Sequence, residues 1–167
     1  IDGTLLAKNG AISAEDTNAL ARAGKLGIRI SVSTGRVVQA CSRIINQLSL
    51  DGYHIFFDGA LVYNPEKSQE VYVKPISEEL VRQMAEFVQQ NEVNLEFFSA
   101  THYFVEQELW ISDIRRQFFE LQPTIVDFSK IWQEERILKG TLVVSSVEEK
   151  TRADSFCRYF KDSLTFS

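Results

Sequence analysis

Asp2, Thr34, Arg36 and Asp58 are the side chains whose types and neighbours could do chemistry. Asp2-Gly3-Thr4 sets a carboxyl group beside a glycine and a hydroxyl. A carboxylic acid can protonate a departing alkoxide and, once ionised, take a proton from water. Gly3 lets the chain turn sharply, and backbone N–H groups around it and Thr4 can bind an anion. Read alone, Asp-Gly-Thr is also the composition of a plain turn. Ser31-Val32-Ser33-Thr34-Gly35-Arg36 ends an alternating apolar run in a hydroxyl, a glycine and a guanidinium. A hydroxyl at a strand's carboxyl end can donate to a phosphoryl oxygen without adding the charge of a competing nucleophile, which makes Thr34 the candidate. The bland alternative is a helix entry at Thr34-Gly35 with Arg36 as a surface charge. Asp58-Gly59 follows the apolar run Ile55-Phe56-Phe57. A carboxylate accepts hydrogen bonds and repels phosphate, so Asp58 either faces a substrate hydroxyl or belongs to a structural turn.

The elements that must position these residues follow from periodicity. Ser13 is placed to cap a helix, with Glu15 and Asp16 at its positive end. Leu20, Ala23 and Gly27 recur at helical spacing, and Gly24 and Gly27 end the run. The period changes to two over Ile28–Ser33, which predicts a strand of about six residues. A second helix is expected from Val37 to Leu48, then a short strand, Ile55–Phe57. Helix, strand, helix, strand is the rhythm of a parallel sheet with covering helices. Leu61–Tyr63 and Val71–Val73 flank Asn64-Pro65-Glu66-Lys67 as a β-hairpin. From Lys74-Pro75 an α+β unit is expected: a helix carrying Leu80, Val81, Met84, Phe87 and Val88, strands at 93–98 and 103–105, and a less regular stretch with Trp110, Phe118, Phe119 and Trp132. A strand at 137–144, a helix at 147–160 and a strand at 164–166 complete it. The aromatics read as core, and Arg115-Arg116 as a solvated helical face.

Taken together, the three segments resemble the motifs of the haloacid dehalogenase superfamily, in the branch of Cof-like sugar phosphatases. Ile1-Asp2-Gly3-Thr4-Leu5 resembles the tail of the family's DxDGT[LV] motif, Ser33-Thr34-Gly35-Arg36 its second motif, and Asp58-Gly59-Ala60 the NGA segment of this branch, with Asp58 in place of the asparagine. The resemblance is strong over 1–75 and weaker beyond. It implies an α/β fold: a partial HAD-like Rossmannoid core with a parallel sheet in 1–74, and an incomplete α+β cap domain in 75–167. It implies a magnesium-dependent phosphomonoester hydrolase acting through an aspartyl-phosphate, with a small phosphorylated metabolite such as a sugar phosphate as substrate. Asp2 and Thr34 would be catalytic. Gly3, Thr4, Gly35, Arg36, Asp58 and Gly59 would bind phosphate or substrate, and the backbone carbonyl of Asp2 would ligate Mg2+. The nucleophilic aspartate would immediately precede Ile1. The later lysine and acidic motif of the family are not found in these residues, and Lys139-Gly140 lies in a strand pattern too early to supply that lysine. A catalytically inactive binding module of the same fold and a phosphomannomutase-like phosphotransferase are the alternatives. Residues 1–167 alone are expected to be inactive and poorly stable.

Bulk properties exclude other classes. The formal charge is -5 and acids and bases are interspersed, which offers nucleic acid no basic stripe. No run approaches the ~20 apolar residues of a membrane span, so a cytoplasmic protein without a membrane partner is expected. Cys41 and Cys157 read as buried thiols, and His54 and His102 have no partner at metal-ligand spacing.

Overall fold

A computed structural model describes residues 1–7 and 9–166, and the chain divides into two compact units, Ile1–Lys74 and Pro75–Ser167. The first unit opens on a tight turn: the Ile1 carbonyl accepts hydrogen bonds from the N–H groups of Thr4, Leu5 and Leu6 at 3.3, 2.9 and 3.1 Å. Helix α1 (Ala14–Lys25) follows, capped as expected, the Ser13 hydroxyl oxygen accepting from the Asp16 N–H at 2.9 Å. Next, α2 (Gln39–Gln47) buries Cys41, Ile44 and Ile45. Strand β1 (His54–Phe56) pairs antiparallel with β2 (Leu61–Asn64), which pairs antiparallel with β3 (Gln69–Val73). The predicted hairpin is therefore present and continues the sheet.

The strand expected over 28–33 is shorter than its alternation suggested. Parallel pairing is confined to one bridge, Ser33 with Ile55, made by the Ile55 N–H donating to Val32 O at 2.8 Å and the Thr34 N–H to Ile55 O at 3.0 Å. A longer ladder needs a straight partner before His54, and there the chain turns through Gly52 at φ 90. Ile28 is consequently exposed. Beneath the bridge, the wholly buried His54 accepts the Val32 N–H at Nδ1, 3.2 Å away. Burial lowers the pKa of its ring below the ordinary value, which keeps it in the neutral form that this bond requires. His54 is thus a structural residue that spacing alone passed over.

In the second unit, α3 (Glu78–Asn91) is capped by Ser77 and covers one face of a four-stranded sheet. Its strands are β4 (Leu95–Phe98), β5 (Tyr103–Val105), β6 (Pro123–Ile125) and β7 (Lys139–Leu142), in the order β6-β5-β4-β7. Helices α4 (Trp110–Phe119), α5 (Ile131–Glu134) and α6 (Val147–Tyr159) complete the unit. Met84, Leu95, Phe97, Phe128, Phe156 and Phe160 meet in the core. Two expectations are corrected here. The stretch around Trp110–Trp132 holds α4, β6 and α5 rather than irregular chain, and Trp110 and Phe118 on α4 are exposed rather than core. The strand expected at Leu164–Phe166 is absent, because the Ser163 and Leu164 N–H groups both bond back to the Phe160 carbonyl at 2.9 Å and close a turn. Among the described residues no helix is long and apolar enough to cross a membrane.

The helix α4 misled because its buried face is polar. Arg115, expected on a solvated face, donates through Nε to both carboxylate oxygens of Glu96 at 3.0 and 2.9 Å, and its Nη2 reaches Glu96 as well. Glu96 is 0% exposed and Arg115 only 17%. The Tyr103 hydroxyl donates to Glu96 Oε1 at 3.0 Å and lies 3.2 Å from the Ser112 hydroxyl, and burial pushes the Tyr103 phenol up to about 12. Breaking such a pair leaves a buried charge without a partner, which costs about 3–5 kcal/mol. Arg115→Met is therefore expected to lower the stability of this unit by that order, with Glu96→Gln costing less because Tyr103 keeps an acceptor. Both tryptophans of the chain, Trp110 and Trp132, lie in this unit, so denaturant titration followed by tryptophan fluorescence reads the change directly.

Candidate active site

Asp2, Ser33, Thr34, Gly35 and Asp58 line, with Ile1, one open depression of about 500 Å³ in the first unit. Three of the candidate residues most remote in sequence thus come together, Asp2, Thr34 and Asp58, and they lie at the carboxyl end of the short parallel bridge. Backbone pairing with Ile55 places Thr34. Its side-chain oxygen accepts the N–H of Arg36 at 3.2 Å, an arrangement that leaves the hydroxyl proton directed elsewhere. Asp58 is placed by the turn after β1. Phe57, Asp58 and Gly59 all have positive φ, at 52, 54 and 99, and the turn is tied to the Thr34 segment by Asp58 N–H to Thr34 O and Phe57 N–H to Arg36 O, each 3.2 Å.

Gly35 is needed for this approach. A Cβ built on it would stand 2.4 Å from Asp58 Oδ1 and 2.8 Å from Oδ2, distances that real side chains do not tolerate. Ser33 also lines the depression and was not singled out from sequence, although its place next to Thr34 at the end of an alternating run was the available signal.

Arg36 is used differently from expectation. Its guanidinium forks onto Asp2, Nε donating to Oδ2 at 2.8 Å and Nη2 to Oδ1. That hydrogen bond is the main reason the Asp2 carboxyl is held below its ordinary value of 3.8. Gly3, Thr4 and Gly59 do not line the depression. The Thr4 N–H is taken by the Ile1 carbonyl, and Gly3 and Gly59, with φ at 70 and 99, serve the two turns.

The oxygen donors present are of the hard type that magnesium prefers. Among the described residues, however, no three His, Cys, Asp or Glu side chains come together, and the Asp2 carboxylate is already engaged by Arg36. These residues do not complete a cation site by themselves.

An α/β unit that gathers a carboxylate and a hydroxyl at the carboxyl end of a parallel pairing defines the class of proteins that bind ligands at strand ends. A family model described as haloacid dehalogenase-like hydrolase matches residues 1–167, and the chain belongs to that family. It is 38% identical over 66 residues to Phosphatase YwpJ of Bacillus subtilis, covering 40% of this chain and 23% of that protein. The fold of a haloacid dehalogenase-like hydrolase from Bacteroides thetaiotaomicron matches with a TM-score of 0.81 at 18% identity, over 99% of this chain and 64% of the other. A HAD subclass IIB sugar phosphatase matches with a TM-score of 0.68 at 24% identity, over 93% and 60%. The chain therefore spans less than two thirds of the length of these relatives.

The paired state of Asp2 can be measured. Replacing Arg36 by Leu is expected to raise the titration midpoint of the Asp2 carboxyl toward 3.8, read by NMR of the labelled side chain. Because the folded value is the depressed one, whatever stability the pair contributes is present above 3.8 and is lost as pH falls through the folded value. The acid limb of an unfolding profile should lose that component in Arg36→Leu.

Proposed function

We propose that the complete protein is a magnesium-dependent phosphomonoester hydrolase acting through an aspartyl-phosphate on a small phosphorylated metabolite such as a sugar phosphate. The observation that carries this reading is the meeting of Asp2, Thr34 and Asp58 in one depression. Family membership supports the reaction class, and the fold match to a sugar phosphatase supports the substrate class. In this reading unit Ile1–Lys74 is the first part of the catalytic core and Pro75–Ser167 the cap. The protein is placed in the cytoplasm, with a metabolite rather than nucleic acid or a membrane as its partner.

The proposed roles follow from chemistry. The nucleophile would be the aspartate that the resemblance implies just before Ile1, and splitting the displacement through its acyl phosphate would replace one hard step by two easier ones. Asp2, two residues further along an extended chain, would project to the same side. There it would protonate the departing alkoxide and later remove a proton from the attacking water. Thr34 would donate its hydroxyl proton to a phosphoryl oxygen. Magnesium, when bound, would neutralise the repulsion between carboxylate nucleophile and phosphate dianion. The backbone carbonyl of Asp2 would be one of its ligands. A second reading, an inactive binding module of the same fold, is favoured by one observation, the engagement of both Asp2 oxygens by Arg36.

Kinetics on phosphate esters separate the two. Asp2→Asn in the complete protein is expected to slow turnover by about 10²–10⁴, the range for losing a general acid or base, with a smaller effect on substrate binding. Thr34→Val should cost less, since one neutral hydrogen bond disappears. Exhaustive chelation should abolish turnover and added Mg2+ restore it. Absence of turnover in the wild-type complete protein would leave the binding-module reading in place, and turnover unchanged in Asp2→Asn or after chelation would overturn the roles assigned to Asp2 and Mg2+.

A further inference from the structure

His54 lies wholly buried beside the single bridge, Ser33 with Ile55, that carries Thr34 to the depression. So short a pairing rests on individual hydrogen bonds. The Ser31 hydroxyl donates to Tyr53 O at 2.7 Å, the Ile55 N–H to Val32 O at 2.8 Å and the Thr34 N–H to Ile55 O at 3.0 Å. A further tie is the Val32 N–H, which donates to His54 Nδ1 at 3.2 Å. Of these acceptors only the imidazole can be removed by a proton. An accepting Nδ1 fixes the neutral ring as the tautomer with its hydrogen on Nε2, an atom that is buried with no hydrogen-bond partner among the described residues. A second proton must go to Nδ1, where it faces the Val32 N–H. Two donors then oppose each other, and Val32, itself buried, is left with an unpaired N–H away from water.

Little around the ring would accommodate the added charge. Phe56 stands edge-on with ring centroids 6.2 Å apart, and Tyr63 is the register partner on β2. Burial holds the ring below its ordinary 6.5, and Asp51, the only charged group among the described residues that acts on it, opposes this. The stability that the neutral ring contributes is therefore present above 6.5 and lost as pH falls through the ring's own midpoint.

We infer that His54 is a positioning residue whose neutral ring holds the Val32–Thr34 segment at the depression, and that its protonation releases this segment and with it Thr34. The structural half of the inference stands by itself; the effect on turnover rests on the phosphatase reading above.

The test uses the complete protein. Ring 15N shifts of His54 should show hydrogen on Nε2, and an Nδ1–H tautomer overturns the assignment. Exchange protection of the Val32 and Thr34 amides, corrected for intrinsic rates, should fall about tenfold or more as the ring titrates, the size expected for one lost hydrogen bond. In His54→Asn, whose Oδ1 accepts in place of Nδ1 without titrating, protection should be flat over the same range. In His54→Phe, which keeps a ring but has no acceptor, it should be low throughout. Asp51→Asn leaves the imidazole in place and removes the charge that favours its protonated form, so the ring midpoint and the loss of protection should move together to lower pH. That variant decides the question even if His54→Phe does not fold. Protection that ignores the ring titration, or a response of Val32 that Thr34 does not share, overturns the inference. Under the phosphatase reading, the acid limb of kcat should follow the same midpoint and shift in Asp51→Asn, and a limb unchanged in folded His54→Asn overturns the positioning role. If no phosphate ester is hydrolysed, that reading fails separately and amide exchange still decides the role of His54.

Discussion

The candidate site depends on the two backbone hydrogen bonds that tie the turn Phe57–Gly59 to the segment Thr34–Arg36. Residues other than glycine held at positive φ cost about 1–3 kcal/mol each, and Phe57 and Asp58 both adopt it. The surroundings offset that cost. Phe56, Phe57 and Leu61 are buried on either side of the turn, and each such side chain contributes about 1.5–3 kcal/mol on leaving water. Strain at Asp58 is therefore sustained by apolar burial next to it in sequence. The same burial fixes β1, and β1 through Ile55 fixes Thr34. The geometry of the depression is inherited from a few large side chains that take no part in its chemistry.

Two of the arginine–carboxylate forks in the molecule show how environment changes the meaning of one interaction. Arg115 and Glu96 lie in a buried setting, where Tyr103 and Ser112 complete their hydrogen bonding. Separating them would strand a charge in a medium that solvates it poorly, so the pair dictates how α4 lies on its sheet. Arg36 and Asp2 make a fork of similar form, yet the Asp2 side chain is 63% exposed. Water can replace either partner there, and exposed pairs contribute little to stability. The first pair is architecture; the second is an arrangement that an incoming anion can exchange.

How much of this was legible in the sequence varies with the physics of each element. Helices α1 and α3 could be read closely because Ser13 and Ser77 cap them with their own side chains, a local interaction written in adjacent residues. The hairpin β2–β3 was legible from Asn64-Pro65 for the same reason. The run at 28–33 misled because alternation reports a preference for extended chain, whereas a strand also needs a partner, and Gly52 bends the partner away. Helix α4 was read with the wrong face to solvent because its buried side holds Ser112 and Arg115, polar residues that register as surface until Glu96 is seen opposite them. At the site, residue types at Asp2, Thr34 and Asp58 were readable from motif spacing, and their convergence in one depression matches the three segments singled out. The fork between Arg36 and Asp2 was not, since 34 residues separate the partners and nothing local encodes which carboxylate a guanidinium will choose.

That fork bears on the order of events in the proposed reaction. One carboxyl group is asked to give a proton in the first half and to take one in the second, and these tasks need opposite ionisation states. With Arg36 bound, Asp2 is held ionised, the state of a base and hence of the second half. A guanidinium presents its donors to phosphate as readily as to a carboxylate, and a phosphate dianion carries more charge than Asp2 does. A phosphate ester entering the depression would therefore compete with Asp2 for Arg36; release alone returns the Asp2 carboxyl only toward its ordinary value of 3.8, and for it to hold the proton required for the leaving group the bound dianion and the exclusion of water would have to raise it further. Once the alcohol has departed having taken the proton of Asp2, the carboxylate left behind is again a partner for Arg36, and their pairing would restore the ionised base as water approaches. On this argument Arg36 would alternate between substrate and acid–base residue, and the exposure of its ion pair is what would permit the exchange.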